Sequence, residues 1–265
     1  MKLFTWNLNN NAAMAQLAIE YLELLAVNDA VVACFQEWPE NHDASLSRLS
    51  LTGSHRRLRT FHSTAELDVV WPPHPDEFER SMICHFEGKA RKKPLSVVNL
   101  HWHHRSDQSG VSIPEERAGR AAIFRQSLAR HLPSKSFVVM GDFNIDEEGT
   151  QRNEFRNEWS MFAQRQNKKL KSVERIKQTI APWIYVPPEP PEDSQVKTFK
   201  WKGVWVQIDH ILFSDDLAKF CQKPSVLTSV GIPPRVVSNF LTAESNFRSE
   251  KYASDHLPLL CEFNF

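Results

Sequence analysis

The chain has 265 residues, of which 41% are hydrophobic, and its 32 basic and 32 acidic side chains give a formal net charge of zero. This composition supplies enough apolar surface for a core and excludes a disordered chain. Zero net charge excludes a global field that attracts nucleic acid, so a polyanion site must come from local charge clusters. No apolar stretch reaches the roughly 20 residues of a membrane span, and the first residues lack a signal peptide's apolar region. We therefore expect no membrane span and a soluble, cytoplasmic protein.

The four cysteines are far apart in the sequence and form no Cys-x-x-Cys pair; they are Cys34, Cys84, Cys221 and Cys261. Zinc sites and redox motifs usually show cysteines at short, regular spacings. We therefore expect free, buried thiols in a reducing compartment rather than disulfides or metal ligands.

The N-terminal segment predicts a strand, a helix and a second strand. Residues 2–8 and 30–35 are apolar and rich in β-forming side chains. Between them, Asn10 or Asn11 can cap a helix, whose apolar stripe contains Leu17, Tyr21, Leu24 and Leu25. A strand–helix–strand unit favours parallel pairing of its two strands.

Strand patterns recur along the rest of the chain, with helices among them. A helix is predicted at residues 114–132, and it leads into a strand that ends at Gly141. Further strands are predicted at 67–70, 81–86, 95–101, 205–213 and 257–263. Residues 154–177 show the periodicity of a long amphipathic helix with a basic outer side, and the five prolines of 181–195 predict a stiff loop. Without a clear linker, these elements indicate one α/β or α+β domain.

The most informative segment is Gly-Asp-Phe-Asn at residues 141–144. An apolar run, residues 137–140, stops at Gly141 and is followed by Asp142 and Asn144. Side chains two positions apart in an extended segment point to the same face. A carboxylate beside a neutral amide suits a hard metal ion and a polarised water molecule.

Other apolar strands also end in residues that can bind a metal or transfer a proton. They are Asn7, Glu37, His101, Asp209 and the pair Asp255-His256. A single acidic residue at a strand end is usually a cap or a loop residue. Recurrence in this combination and order instead favours one shared site.

The ordered motifs resemble those of the endonuclease/exonuclease/phosphatase superfamily, which includes deoxyribonuclease-like enzymes, apurinic endonucleases, deadenylases, inositol-polyphosphate phosphatases and sphingomyelinases. They are Trp-Asn at 6–7, Gln-Glu at 36–37, Val-Asn-Leu-His at 98–101, Gly-Asp-Phe-Asn at 141–144, Ile-Asp-His-Ile at 208–211 and Ser-Asp-His at 254–256. The resemblance covers essentially the whole chain, and it implies a single domain over residues 1–265. It also implies an α+β fold, a four-layer αββα sandwich of two packed mixed β-sheets flanked by helices, with the active site at one edge.

The resemblance also implies a role for each matching residue. Glu37 would be the principal ligand of Mg²⁺ or Mn²⁺, helped by Asn7 and Asp255. Asp142 would position and deprotonate the attacking water, and Asn144 would hold that water or a phosphoryl oxygen. His256, oriented by Asp209, would stabilise charge on the phosphate, and His101 would lie near the leaving group. Whether Asp142 or His256 acts as the base is left open.

Some residues near these motifs depart from the family's pattern or allow a different metal. Asn9 stands where some family members carry an acidic residue, so a metal contribution from this position is in doubt. His101 and His103 share one face of a strand and raise a zinc alternative, but Arg105 and Ser106 replace the Asp and His of a metallo-β-lactamase pattern. His103 is expected to be a loop residue or a substrate contact, and His210 a packing or hydrogen-bonding residue.

The substrate is less well defined than the chemistry. Basic clusters at residues 55–59 and 89–93, together with the basic face of 152–177, can bind a phosphate backbone. The alternative is a solvated helix face and a charged turn. Trp201 is a candidate for stacking on a base, with a core position as the alternative. We expect a Mg²⁺-dependent phosphodiesterase, most simply a nuclease acting on DNA or RNA. The alternatives are a phosphatase or phosphodiesterase for a small or lipid-linked substrate, and a catalytically silent binding protein. The sequence does not give the oligomeric state.

Overall fold

The computed structural model describes residues 1–40, 42–43, 45–75, 80–90, 94–103, 114–132, 136–145, 162–165, 183–189, 197–201, 204–227 and 255–263. Its elements, in chain order, are β1 (Lys2–Asn7), α1 (Ala12–Leu25), β2 (Val31–Gln36), β3 (Leu49–His55), β4 (Leu58–Ser63), β5 (Leu67–Pro75), β6 (Ser81–Gly88), β7 (Pro94–His101), α2 (Pro114–His131), β8 (Phe137–Asp142), β9 (Ala163–Arg165), β10 (Trp183–Tyr185), β11 (Phe199–Trp201), β12 (Val204–Val206), β13 (Asp209–Phe213), α3 (Asp215–Ala218), β14 (Ser225–Val226) and β15 (Leu259–Glu262).

Most of these strands form two mixed sheets. One has six strands in the order β14-β15-β1-β2-β4-β3, and the other has seven in the order β5-β6-β7-β8-β13-β10-β9. Strands β1 and β2 are parallel, as are β7 and β8, whereas β15 and β13 run antiparallel to their neighbours β1 and β8. The sheets pack face to face through β1 and β2 on one side and β7 and β8 on the other. The predicted pair of packed mixed sheets is confirmed.

Helices cover the outer faces of the two sheets. Asn11 caps α1, its side-chain oxygen accepting hydrogen bonds from the backbone N–H groups of residues 13 and 14. The buried face of α1 packs on the six-stranded sheet, while the predicted stripe residue Leu24 is 45% exposed. On the opposite side, Phe124 and Leu128 of α2 pack against Val98 and Val139. The result is the predicted four-layer αββα order. None of the described helices is both long and apolar enough to cross a membrane.

Strand register brings the predicted residues to one edge of the sandwich. In the six-stranded sheet, Asn7 stands opposite the residue that precedes Glu37. In the other sheet, Asp142 is the register partner of both His101 and Asp209. Because parallel strands end at the same edge, four strand ends from both sheets gather there.

The structure differs from the sequence analysis at four places. The hairpin β3–β4 is missing from the sequence analysis, because its Ser, Thr, Gly and Arg residues interrupt any alternating pattern. The strand predicted at 205–213 is two strands, since β12 pairs with β11 and β13 with β8. Continuous helix over 154–177 is wrong at Ala163–Arg165, which pair in parallel with β10. The prediction of a loop over 181–195 is wrong at Trp183–Tyr185, which form β10 and pair with β13 and β9. Residues 154–161 and 166–177 of the predicted helix, and 181–182 and 190–195 of the predicted loop, lie outside the described residues.

Candidate active site

Asn7 lies between Glu37, the predicted principal metal ligand, and Asp142, the carboxylate of the Gly-Asp-Phe-Asn motif. Its amide nitrogen donates to Glu37 Oε1 at 3.3 Å and to Asp142 Oδ2 at 3.1 Å. Its amide oxygen accepts from the backbone N–H of Asn9 at 3.0 Å, and this bond sets the orientation of the amide. The second lone pair of this oxygen remains available to a metal ion, and the ligand role of Asn7 stays a prediction.

Backbone conformation at the site is unusual. Glu37 and Asn144 have φ angles of +50° and +52°, a region that costs a non-glycine residue about 1 kcal/mol or more. Gly141 has a φ of +145°, and a β-carbon there would collide with the Leu100 carbonyl oxygen and approach the Gln36 amide at 2.9 Å. The glycine of the Gly-Asp-Phe-Asn motif is thus required by the close approach of strand β7 and of Gln36.

The turn after β8 fixes Asp142 and Asn144 relative to each other. The backbone N–H of Asn144 donates to Asp142 Oδ1 at 2.8 Å, and the Asn144 amide nitrogen donates to the Trp102 carbonyl at 3.0 Å. The Trp102 backbone N–H in turn donates to the Asp142 carbonyl at 2.7 Å. Together, these hydrogen bonds connect the segment after β7 to the end of β8 and the turn that follows it.

Asp209 and His256 form a buried pair on the other side of the site. His256 Nδ1 lies 2.9 Å from Asp209 Oδ2, and His256 Nε2 lies 4.0 Å from Asp142 Oδ2. Two contacts hold the histidine: the Trp6 indole N–H donates to its carbonyl at 2.9 Å, and the Phe199 ring centroid lies 4.7 Å from its own. The imidazole is thus fixed between two carboxylates.

The charges of this group depend on one another. Burial lowers the pKa of His256, but Asp209, Asp142 and Asp255 outweigh it and raise that pKa to about 10. Burial and repulsion by Asp209 raise the pKa of the Asp142 carboxyl, against the opposing effect of His256 and His101. His256 is therefore a cation at neutral pH, and Asp142 is a stronger base than an ordinary aspartate.

Of the remaining predicted residues, His101 lies in the site, whereas His103 lies outside the cleft. His101 Nε2 lies 3.7 Å from both Glu37 Oε1 and Asp142 Oδ2. His103 is only 5% exposed, and its ring packs on Trp102 at 5.0 Å, outside the side chains that line the cleft. Trp201 ends β11, and its side chain lies outside the described part of the structure. Phe199, two residues earlier, lines the cleft instead.

The donor set fits a hard divalent cation. Asp255 Oδ1 and Asp209 Oδ1 are buried and have no hydrogen-bond partner among the described residues, an arrangement that is costly unless a cation or water meets them. Ligand atoms of Asp142, Asp209 and His256 lie within 4.8 Å of one another. A protonated His256 has no free nitrogen to offer. Glu37, Asp142 and Asp255 supply the oxygen atoms that Mg²⁺ or Mn²⁺ prefers.

Two clefts meet at the site. Glu37, Asp142, Asn144, Asp255 and His256 are among the residues that line a cleft of about 410 Å³. A neighbouring cleft of about 550 Å³ is lined by Glu40, Arg56, Arg57, Leu58, Arg80 and His101. Arg80 and His101 belong to both. Arg80 escaped the sequence analysis, because one arginine before an apolar strand carries no distinguishing pattern.

Comparisons with known proteins agree with the fold. Residues 4–256 match the profile of the endonuclease/exonuclease/phosphatase family. The catalytic domain of APE2 from Xenopus laevis is 12% identical, with a TM-score of 0.60 over 99% of this chain and 91% of that one. AP endonuclease LMAP from Leishmania major is 14% identical (TM-score 0.57; 98% and 86% covered), and an AP endonuclease from Archaeoglobus fulgidus is 14% identical (TM-score 0.55; 100% of both). No curated protein sequence matches. By the profile match, the chain belongs to the endonuclease/exonuclease/phosphatase family.

Proposed function

We propose that the protein is a divalent-metal-dependent phosphodiesterase that hydrolyses the backbone of nucleic acid. One observation carries this proposal: a base with a raised pKa, Asp142, lies 4.0 Å from a cationic imidazole, His256, in a cleft lined by the carboxylates Glu37 and Asp255. Attack on a phosphodiester needs a base for the water and positive charge for the phosphoryl oxygens. This cleft offers both.

The residues divide this work between them. Asp142 accepts the proton of the attacking water, and the turn from Asp142 to Asn144 positions that water. His256 donates one hydrogen bond, from Nε2, to the phosphoryl oxygen, and Asp209, bonded to Nδ1, keeps its imidazole charged and oriented. His101 and Arg80, which line both clefts, contact the phosphate or the leaving group.

Glu37 and Asp255, with Asn7 beside them, would hold Mg²⁺ or Mn²⁺. Such an ion neutralises charge that develops on the phosphoryl and leaving oxygens. The buried Asp255 oxygen without a hydrogen-bond partner among the described residues supports this assignment.

Two further observations support nucleic acid as the substrate. The adjacent cleft carries three arginines and one carboxylate, and such a surface suits a chain of phosphates. Structural neighbours include a 3'-5' exonuclease from Neisseria meningitidis and the endonuclease domain of TRAS1, a telomere-specific non-LTR retrotransposon. A 3' phosphatase from Neisseria bound to a DNA hairpin is another, so terminal phosphate removal is the alternative to compare.

A substrate panel tests the proposal. Single-stranded, duplex and abasic DNA, 3'-phosphorylated DNA, RNA and bis-p-nitrophenyl phosphate are incubated with Mg²⁺, Mn²⁺ or EDTA. We expect cleavage of a nucleic acid that EDTA stops. Activity confined to bis-p-nitrophenyl phosphate contradicts the nuclease assignment, and no hydrolysis of any substrate favours a silent binding protein.

The Asp209→Asn variant tests the role of the buried pair. The amide keeps the size of the side chain but removes the charge that holds His256 protonated, so we expect kcat to fall by about 10²–10³-fold. The pH above which activity falls should also move down. Asp215→Asn, the same substitution at an exposed position of α3, is the control. Equal kcat values for the two variants contradict the role of Asp209.

A further inference from the structure

Cys221 and Cys261 lie in direct contact, although they are 40 positions apart in the sequence. Their sulfur atoms are 3.1 Å apart, and both also lie near the Gln222 carbonyl oxygen, at 2.7 and 3.3 Å. A covalent S–S bond measures about 2.05 Å, so the sulfurs need to approach by only about 1 Å. Both residues are free thiols.

The two backbones around these cysteines are already joined. Cys221 forms an antiparallel bridge with Phe263, and the Gln222 backbone N–H donates to the Glu262 carbonyl at 2.9 Å. Further along, β14 pairs with β15. Bringing the sulfurs together therefore requires no rearrangement of distant elements.

We propose that Cys221 and Cys261 are a disulfide-forming site that covalently ties β15 to the segment between α3 and β14. The co-reactant is a small-molecule disulfide such as oxidised glutathione. The half-buried Cys221 sulfur attacks one oxidant sulfur and releases a first thiol, and the Cys261 sulfur then attacks Cys221 and releases a second. Two protein thiols are oxidised, one disulfide is reduced, and both protons leave on the released thiols.

The surroundings make this site slow to react but stable once closed. The proton shared with Cys261, together with burial, raises the pKa of the Cys221 thiol above its usual range, which keeps the reactive thiolate scarce at neutral pH. Once formed, the bond closes a long loop, and the chain-entropy model then predicts a more stable fold. Strand β15 begins three residues after His256, so the bond anchors a strand close to this histidine.

The experiment is oxidation of the full-length protein with oxidised glutathione at pH 7.5 and pH 9, followed by intact-mass analysis, peptide mapping and thermal unfolding. We expect a mass loss of two hydrogen atoms, a Cys221–Cys261 cross-linked peptide and a Tm higher by about 5–10 °C. The thiolate fraction of a thiol with a raised pKa grows about tenfold per pH unit, so the reaction should be about 30-fold faster at pH 9 than at pH 7.5. Hydrolysis at 25 °C should be unchanged by oxidation.

Two variants make the result decisive. Cys221→Ser should lose the mass change and the Tm shift, whereas Cys84→Ala, which removes a buried cysteine elsewhere, should keep both. The proposal is overturned if the wild-type protein keeps its mass or gains only a glutathione adduct. A cross-link mapped to another pair overturns it as well. Because mapping is done on the wild-type protein, a variant that fails to fold does not prevent a decision.

Discussion

Two buried histidines, His210 and His256, differ in charge at neutral pH, and the surroundings of each imidazole explain the difference. His210 is fully buried, and this burial lowers its pKa to about 4. His256 is also buried, but three carboxylates raise its pKa to about 10. Strand alternation separates the two environments: Asp209 reaches His256, whereas the next side chain, His210, turns to the Ile145 carbonyl at 2.9 Å.

His210 predicts a pH-dependent stability. Its folded pKa of about 4 lies below the unfolded value of about 6.5, so the folded state binds fewer protons between these values. The contribution of His210 is present above pH 6.5 and is lost as the pH falls toward 4. We expect the wild-type free energy of unfolding to fall by roughly 2–3 kcal/mol more than that of His210→Gln over this range.

Urea unfolding in EDTA at several pH values between 7.5 and 4 measures this difference. His131→Gln replaces an exposed histidine at the end of α2 and should leave the wild-type pH dependence intact. Parallel curves for wild type and His210→Gln are the result that contradicts the assignment. The sequence analysis placed His210 among packing or hydrogen-bonding residues, and its bond to Ile145 confirms that prediction.

At the scale of the elements, a buried amide network joins the two sheets directly behind the site. The Gln36 amide nitrogen donates to Asn99 Oδ1 at 2.7 Å. The Asn99 amide nitrogen lies within 3.2 Å of three acceptors, the carbonyls of Phe35 and Arg59 and the Thr60 hydroxyl. Gln36 precedes Glu37 in the chain and lies against Gly141, so the network links the backbones that carry Glu37 and Asp142.

Asn99→Leu is predicted to weaken both the fold and the metal site. The substitution leaves several buried polar groups without partners, at about 1–3 kcal/mol for each, and we expect a total loss of roughly 2–4 kcal/mol. Without the hydrogen bonds of Asn99 to Gln36 and to the Phe35 carbonyl, the end of β2 is held less firmly, and the following residue, Glu37, loses its fixed position. The Mg²⁺ concentration that gives half-maximal activity should then rise about tenfold.

Val98→Ala is the matched control for this prediction. Val98 is the neighbouring residue on β7, but its side chain faces the cluster under α2, so its truncation costs stability on the opposite face of the same strand. If Val98→Ala raises the Mg²⁺ requirement as much as Asn99→Leu at equal stability, the network has no positioning role.

Strand ends were the most predictable elements of the site. At Asn7, Glu37, His101 and Asp142, a buried apolar run stops at a polar residue, and this pattern is visible in the sequence. Residues 163–165 show the limit of this reasoning, because helical spacing of apolar side chains does not reveal that the backbone pairs with β10. Pairing partners lie far away in the chain, and local periodicity carries no information about them.

At the scale of the whole molecule, zero net charge conceals a local cationic surface. Arg56 and Arg57 come from the β3–β4 turn, which Arg59 supports with hydrogen bonds to the carbonyls of residues 56 and 58. Arg80 directly precedes β6, a strand of the other sheet. The cluster at 55–59 was visible in the sequence, but its meeting with Arg80 beside His101 depends on the packing of the two sheets.

This surface predicts that cleavage depends on substrate length and on salt. In the cleft, Glu40 pairs with Arg57 at 2.9 Å, and phosphates that flank the scissile bond would meet the remaining positive charge. Replacing Arg56 and Arg57 together by alanine should raise KM for a 20-nucleotide strand by about tenfold. Hydrolysis of bis-p-nitrophenyl phosphate, which has no flanking phosphate, should change by less than about twofold.

The measurement is kcat/KM for both substrates between about 50 and 200 mM salt. The slope of log(kcat/KM) against log[salt] is negative, and each phosphate contact that is lost reduces its absolute value by about 0.7–0.9. The double variant should therefore have the shallower slope. A second double variant, Arg120→Ala with Arg130→Ala on α2, removes the same charge from the outer layer and should retain the wild-type slope. If both double variants lose the same amount of activity on the strand, net charge rather than the cleft explains the effect. A proportional loss on bis-p-nitrophenyl phosphate instead points to damage in the neighbouring cleft, which Asp142 and His256 line.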